Sequence, residues 1–264
     1  MYLSSLLVRV GDDPDRPRPG RLWLRNTYHV HQRLCMAFPN ATLKSADPDF
    51  LKPYDPAQFA RGHVHSPRAE DQGFLFRIDP RAGGSAVILV QSAVEPDWDY
   101  AFHNAWHLLE APPQVAPYSP VFQRGLPLRF RLLANPTRKV GTISKAERER
   151  LSREELAARK GRHGRRVPVP APQLLDWLEQ RAERSGFALE PGTVTIQSGY
   201  LYMKKPGQSQ GQRLRAARYD GLLVTTDPDA LYGAVCRGIG PGKAFGFGLL
   251  SLIPITGTHG RGGS

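Results

Sequence analysis

Tyr28, His31 and Cys35 stand at i, i+3 and i+7 behind Asn26, a spacing that puts them on one face of a helix. Asn26 is a residue type that caps such a helix. Val30, Leu34, Ala37 and Phe38 form the adjoining apolar stripe, so a helix is expected over Asn26–Phe38 with His31 at the edge of its buried face. There an imidazole is oriented without being sealed in, and it can take a proton from a hydroxyl or return one to a leaving oxygen. His29 points to solvent instead. A histidine that merely finishes the rim of a core fits the same spacing.

Histidine pairs also raise a metal reading, through His29-Val30-His31, His63-Val64-His65 and the i, i+4 pair His103 and His107. It is set aside, because a His-x-His pair shares a face only on a strand, the first pair falls on a helix, and no carboxylate or thiol motif accompanies any of them.

A second concentration of chemistry is the run Gly238-Ile239-Gly240-Pro241-Gly242-Lys243-Ala244-Phe245-Gly246-Phe247-Gly248-Leu249-Leu250-Ser251-Leu252. Glycines this dense let backbone N–H groups approach a bulky anion, with Lys243 at hand, although a glycine cluster taken alone is more often a hairpin or bulge that needs glycine for its backbone angles. A strand is expected over Gly246–Leu252, with Phe247 and Leu249 inward and the preceding loop exposed.

These elements sit in a chain of 264 residues with 36 Lys plus Arg against 24 Asp plus Glu, a net charge of +12. A basic balance of that size favours a polyanionic partner over an acidic small molecule. The excess is local: Arg129 to Arg166 holds thirteen Lys or Arg against four Glu, Tyr200 to Arg218 holds five and no acid, and the rest is near −2. Arg138, Lys139, Arg165 and Arg166 belong to the first segment, on either side of its middle. Its middle, Ser144–Lys160, interleaves Glu and Arg as a solvated helix does. The second segment reads as a β-hairpin, with Lys204 and Lys205 before the turn and Arg213 and Arg215, on one face, after it. Such a hairpin can track phosphates or can simply be an edge protected by charge.

No window approaches 18 consecutive apolar residues, and Met1–Val10 alternates as a strand without a charged lead or cleavage site, so a cytoplasmic chain with no membrane partner is expected. Cys35 and Cys236 are too few for a disulfide framework and read as reduced core residues.

The elements that position this chemistry form a pattern given twice. Strands at Met1–Val10, Phe74–Asp79 and Ala86–Ala93 alternate with helices at Asn26–Phe38 and Asp97–Glu110; a Pro-rich stretch, Ala111–Pro120, then breaks the period, with room for a short closing strand. A strand at Leu126–Leu133, a helix at Pro172–Arg184, paired strands at Val194–Met203 and Arg213–Thr226, a helix at Pro228–Arg237 and the final strand repeat it. The fold class is α+β, with two tandem ferredoxin-like (βαββαβ) domains over 1–115 and 126–258, a linker at 116–125 and a tail at 259–264. The sheet faces away from the helices are expected to be available to a ligand. Pro39–Gly73 and Thr137–Pro170 fit no element and read as insertions or long loops.

Taken together, Met1-Tyr2-Leu3-Ser4, Asn26–His31, Glu95-Pro96-Asp97-Trp98, Leu128-Arg129-Phe130-Arg131-Leu132-Leu133-Ala134-Asn135-Pro136 and Gly238–Leu252 resemble the CasE family of CRISPR repeat-RNA endoribonucleases, the processing subunit of type I-E Cascade within the RAMP superfamily. Thr27 stands where many relatives carry proline. The resemblance implies metal-free cleavage of the CRISPR repeat beneath its hairpin, no cofactor, and retention of the mature guide-RNA hairpin among other Cascade subunits. It implies His31 as the catalytic residue with Tyr28 assisting, the adjacent ribose 2′-OH attacking to leave a 2′,3′-cyclic phosphate. Lys243 or the pair Arg129 and Arg131 would stabilise the phosphorane. Asn135, Arg138, Lys139, Arg165, Arg166, Lys204, Lys205, Arg213, Arg215, Gly240 and Gly242 would hold the RNA. Two other readings stay open, a subunit that caps an RNA hairpin without cutting it and a ribosome-associated protein with affinity for many structured RNAs.

Overall fold

Alternation in Tyr2–Arg9 (β1) turns Ser4, Leu6 and Val8 inward, because successive strand side chains point to opposite faces. The computed structural model describes residues 1–11, 18–38, 73–140, 150, 152, 154–155 and 165–255. The insertion at 39–72, with His63 and His65, nearly all of the charged stretch 141–164 and the tail lie outside them. After β1 come α1 (Pro19–Leu24), a short helix that periodicity does not reveal, and α2 (Thr27–Cys35). They are followed by β2 (Phe74–Arg81), β3 (Ser85–Ser92), α3 (Trp98–Phe102) and β4 (Gln114–Pro117). The sheet order is β2-β3-β1-β4 with every pairing antiparallel, the ferredoxin-like arrangement. Val30, Leu34, Phe74, Phe76, Ile88, Trp98 and Phe102 fill the core between sheet and helices.

The helix expected over Asp97–Glu110 stops at Phe102, with a single 3-10 turn at Trp106–Leu108. The carbonyls a longer helix would use are taken by side chains: Arg33 Nη1 donates to Ala101 O at 2.9 Å, and His103 Nδ1 lies 3.0 Å from Tyr100 O. Strand β4 runs inside the Pro-rich stretch as a wholly exposed edge, a sheet position that tolerates proline.

The second half contains β5 (Pro127–Ala134), β6 (Thr137–Val140), β7 (Arg165–Pro168), α4 (Leu174–Arg184), β8 (Phe187–Leu189), β9 (Thr195–Met203), β10 (Gln212–Thr225), α5 (Pro228–Arg237) and β11 (Leu250–Pro254). Its sheet runs β11-β5-β10-β8, the same order as the first. The strand after α4 is therefore the three-residue β8, and β9 is an addition: it pairs with Gln212–Asp220, while β5 pairs only from Ala217 onward, so the far end of β9–β10 overhangs as a ribbon. The ends of the expected 137–170 loop also form a ribbon, β6–β7.

The final strand begins at Leu250, four residues later than expected. Gly246 and Gly248 have φ of 87° and 92°, which no extended strand accommodates. Phe247 and Leu249 are nonetheless buried. The first sheet's open face is not available either. Gln91 Nε2 donates to Val235 O at 2.7 Å and Arg77 Nη1 donates to Ser251 Oγ at 2.9 Å, so α5, the glycine segment and β11 cover it.

Candidate functional site

Asn26 caps α2 through Oδ1, which accepts from Tyr28 N at 3.2 Å. The same side chain reaches the second half of the chain, donating from Nδ2 to Lys204 O at 2.9 Å and accepting from Lys204 N at 3.0 Å. Thr27 Oγ1 donates to Tyr202 O at 3.3 Å, a bond that a proline at this position could not make. Two consecutive residues thus join the start of the histidine helix to strand β9 of the basic ribbon.

On α2 the Tyr28 side chain is half-buried, and burial, then the neighbouring Cys35, raises its pKa above the usual 10.0. At neutral pH it is a hydrogen-bond donor. His31 lies beside Phe76, near-parallel at 18° and 6.4 Å between centroids, and beside Phe74 at 5.6 Å. Its Nε2 is 3.5 Å from Cys35 Sγ. His29 is exposed. The shared face of Tyr28, His31 and Cys35 therefore exists, and it presents a phenol donor and an imidazole one turn apart.

The glycine segment packs against this helix. Its 3-10 turn, Lys243–Phe245, contacts α2 and β2, and a Cβ on Gly246 would stand 3.1 Å from Phe76 Cε2. Lys243 is half-buried rather than fully exposed, and burial, then Arg237, lowers its pKa. Gly240 and Gly242 have φ of 84° and 82°, so their glycine character is required by the backbone. Asn135 is 8% exposed and lies beneath Gly242, where it supports the loop.

Arg131 is likewise engaged. Its Nε donates to Asp220, whose carboxylate also accepts from Arg218 Nε at 2.8 Å, and this network lies on the sheet face opposite α4 and α5. Arg129 shares that face and is exposed. The 3-10 turn that carries Lys243 packs on α2, whereas Arg131 is tied to Asp220.

Arg138 and Lys139 are exposed on β6, opposite Val167 and Arg166 on β7, and Arg165 pairs with Val140. Trp177 Nε1 donates to Thr137 O at 3.3 Å and so holds this ribbon to α4. Lys205, Arg213, Tyr200 and Tyr202 are exposed on the other ribbon, with Lys204 and Arg215 half-buried. Sequence reasoning missed Arg181, whose guanidinium stacks 3.8 Å over Trp177 and whose pKa is lowered first by burial, then by Arg184, with Arg166 also contributing. It also missed the exposed tyrosines. Among the described residues no helix is long and apolar enough to cross a membrane.

The arrangement offers a donor, an imidazole and a cation joined to one basic ribbon, with a second basic ribbon held to α4, a constellation suited to a phosphodiester in a folded polyanion. Comparison with known proteins agrees. The chain is 33% identical over 229 residues to the CRISPR-associated endoribonuclease Cse3 of Thermus thermophilus, covering 81% of this chain and 96% of that protein. It is 26% identical to the CRISPR system Cascade subunit CasE of Escherichia coli K12, over 97% of this chain and 100% of that one. A solved structure of the CRISPR endoribonuclease Cse3 bound to a 19-nucleotide RNA matches with a TM-score of 0.65 at 29% identity, covering 96% of this chain and 100% of that one. The family model described as CRISPR associated protein matches residues 1–254, and the chain belongs to that family.

Proposed function

We propose that this chain is the CRISPR endoribonuclease that cuts precursor RNA at the base of the repeat hairpin and stays on the guide-RNA hairpin as a Cascade subunit. The observation that carries the reading is the joining of the Tyr28–His31 helix to the basic ribbon through Asn26 and Thr27. Ribbon contacts to phosphates would thereby fix where the scissile phosphate meets the helix, and positioning of this kind supplies a large part of a barrier's reduction.

The ribose 2′-OH beside the scissile phosphate attacks phosphorus, its proton is lost, and the 5′ oxygen leaves with a proton. A 2′,3′-cyclic phosphate and a 5′-OH remain. The nucleophile is part of the substrate, so a metal-bound water is not required. His31 transfers one of the two protons, a contribution of about 10²–10⁴ in rate, and the Tyr28 phenol donates to a phosphate oxygen. Lys243 faces the charge that develops on the phosphorane. Arg138, Lys139, Arg165, Arg166, Lys204, Lys205, Arg213 and Arg215 hold the stem, mainly through phosphates and shape, since the deep A-form major groove hides base edges. The domains divide at the Pro-rich stretch, and the work is cytoplasmic, where precursor transcripts arise.

The test is cleavage of a labelled repeat hairpin in EDTA by wild type and His31→Ala, with end-group analysis. Cyclic phosphate from wild type and intact RNA with retained binding from the variant are expected. Undiminished cutting by His31→Ala overturns the assignment of the catalyst, and tight binding without cutting by either protein makes the chain a hairpin-capping subunit.

A further inference from the structure

Residues directly opposite across an antiparallel pair share a face. Tyr200 stands opposite Arg215 and Tyr202 opposite Arg213, so two tyrosines and two arginines line one face of the overhanging ribbon. Tyr200 is 60% exposed and Tyr202 41%. Neither is core, although sequence alternation alone gives Tyr200-Leu201-Tyr202-Met203 no polar side. The Arg215 guanidinium lies 5.8 Å from the Tyr200 ring centroid, with Nη1 3.5 Å from the phenol oxygen. Arg215 Nε is shielded from water and has no hydrogen-bond partner among the described residues, so this side chain is only partly satisfied in the free protein.

An exposed aromatic ring flanked by guanidinium groups is the chemistry that takes a nucleobase: the ring supplies a stacking face, and the arginine supplies a cation for the attached phosphate. A paired base is already stacked within its own helix, whereas a single-stranded one is open on both faces. The ribbon is fixed at Tyr202 and Lys204 to the first residues of α2, and His31 is five positions beyond Asn26, about 7.5 Å of helix rise.

We infer that Tyr200, continued by Tyr202 and flanked by Arg215, is a stacking platform for an unpaired nucleobase next to the repeat stem, close to the phosphate that meets His31. This rests on the repeat-RNA reading and deepens it: the ribbon would grip the stem through phosphates and also sense where the stem ends. The platform adds a base-stacking subsite that basic residues alone do not provide.

The experiment is equilibrium binding of two RNAs at fixed salt, the repeat hairpin with its single-stranded flanks and the same hairpin cut blunt, to wild type, Tyr200→Ala and Tyr200→Phe. Tyr200→Ala is expected to weaken the flanked RNA by about 5- to 150-fold, the range for one stacked base, with the blunt hairpin unchanged and Tyr200→Phe near wild type. Equal weakening of both RNAs, or none, overturns the platform while leaving the repeat-RNA reading intact. If wild type binds neither RNA more tightly than an unrelated hairpin, the repeat-RNA reading fails and the platform fails with it. Circular dichroism melts of the three proteins keep a folding defect apart from a lost contact.

Discussion

Asn26 and Lys204, 178 residues apart, are paired through both backbone groups of the lysine: the asparagine carboxamide accepts from its N–H at 3.0 Å and donates to its C=O at 2.9 Å. The same Oδ1 caps α2, so one side chain fixes both the start of the histidine helix and the ribbon beside it. Asn26→Ala loses a cap worth about 0.5–2 kcal/mol and two hydrogen bonds of about 1 kcal/mol each, for a total of about 2–4 kcal/mol in thermal melts. Asn26→Asp keeps the acceptor and the cap but sets a carboxylate against the Lys204 carbonyl. It is expected to recover much of the stability while single-turnover cleavage at saturating RNA stays low. Recovery of both would show that the bond to Lys204 O does not position the site.

Arg77 is the buried charge on which the two halves close. It is 4% exposed, its Nη2 lies 2.8 Å from Asp79, and its Nη1 donates to Ser251 Oγ. Arg77→Ala strands Asp79 and removes the cross-sheet donor. The cost expected is about 2–4 kcal/mol in urea unfolding, below the usual range for a broken buried pair because Asp79 retains some exposure. Asp79→Asn, which keeps an acceptor for the guanidinium, is expected to lose about half as much. Equal losses would mean that the carboxylate charge, and not the arginine's reach to the second half, holds the contact.

How much of this was legible depends on the range of the signal. The helix of Tyr28 and His31 was readable because an Asn cap and an apolar stripe are local features. The link from Asn26 to Lys204 was not, since nothing in either segment announces a partner 178 residues away. Strand β8 has three residues, too few to alternate, so the longer β9 took its place in the reading. The glycine segment was recognised as special, but its positive φ values moved the strand to Leu250 and drew Asn135 beneath the loop. Arg131 looked like any strand cation until Asp220, across the sheet, claimed it.

Gly246 offers a way to disturb His31 without touching α2. Its φ is +87°, and an added Cβ would stand 3.1 Å from Phe76 Cε2, on the ring beside which His31 lies. Gly246→Ala therefore carries a backbone cost of about 1–2 kcal/mol and also pushes on Phe76. Gly125→Ala is the control: φ is +81° there, and nothing lies within 4 Å of the added methyl. Both variants should lose stability in thermal melts, Gly246→Ala the more because of the added contact with Phe76, but only Gly246→Ala should lose single-turnover cleavage with RNA affinity retained. Matching activities would show that the Phe76 ring does not set the position of the imidazole.

Lys243 separates function from stability by sign. Burial, then Arg237, lowers its folded pKa below the ordinary 10.5, so the unfolded chain holds this proton more tightly than the folded one. The charge thus costs stability at every pH below the folded value, and the cost fades as pH rises from there toward 10.5. Lys243→Met should melt at or above the wild-type temperature at neutral pH and yet cut about 10²–10³-fold more slowly, the loss expected when a group facing the developing charge is removed. The wild-type cleavage rate should fall at alkaline pH, beginning below the range of an ordinary lysine. In Lys243→Arg, whose guanidinium keeps its proton, that fall should move upward. A cleavage rate unchanged in Lys243→Met, with an alkaline limb unmoved in Lys243→Arg, would remove Lys243 from the reaction and leave its turn as packing for α2.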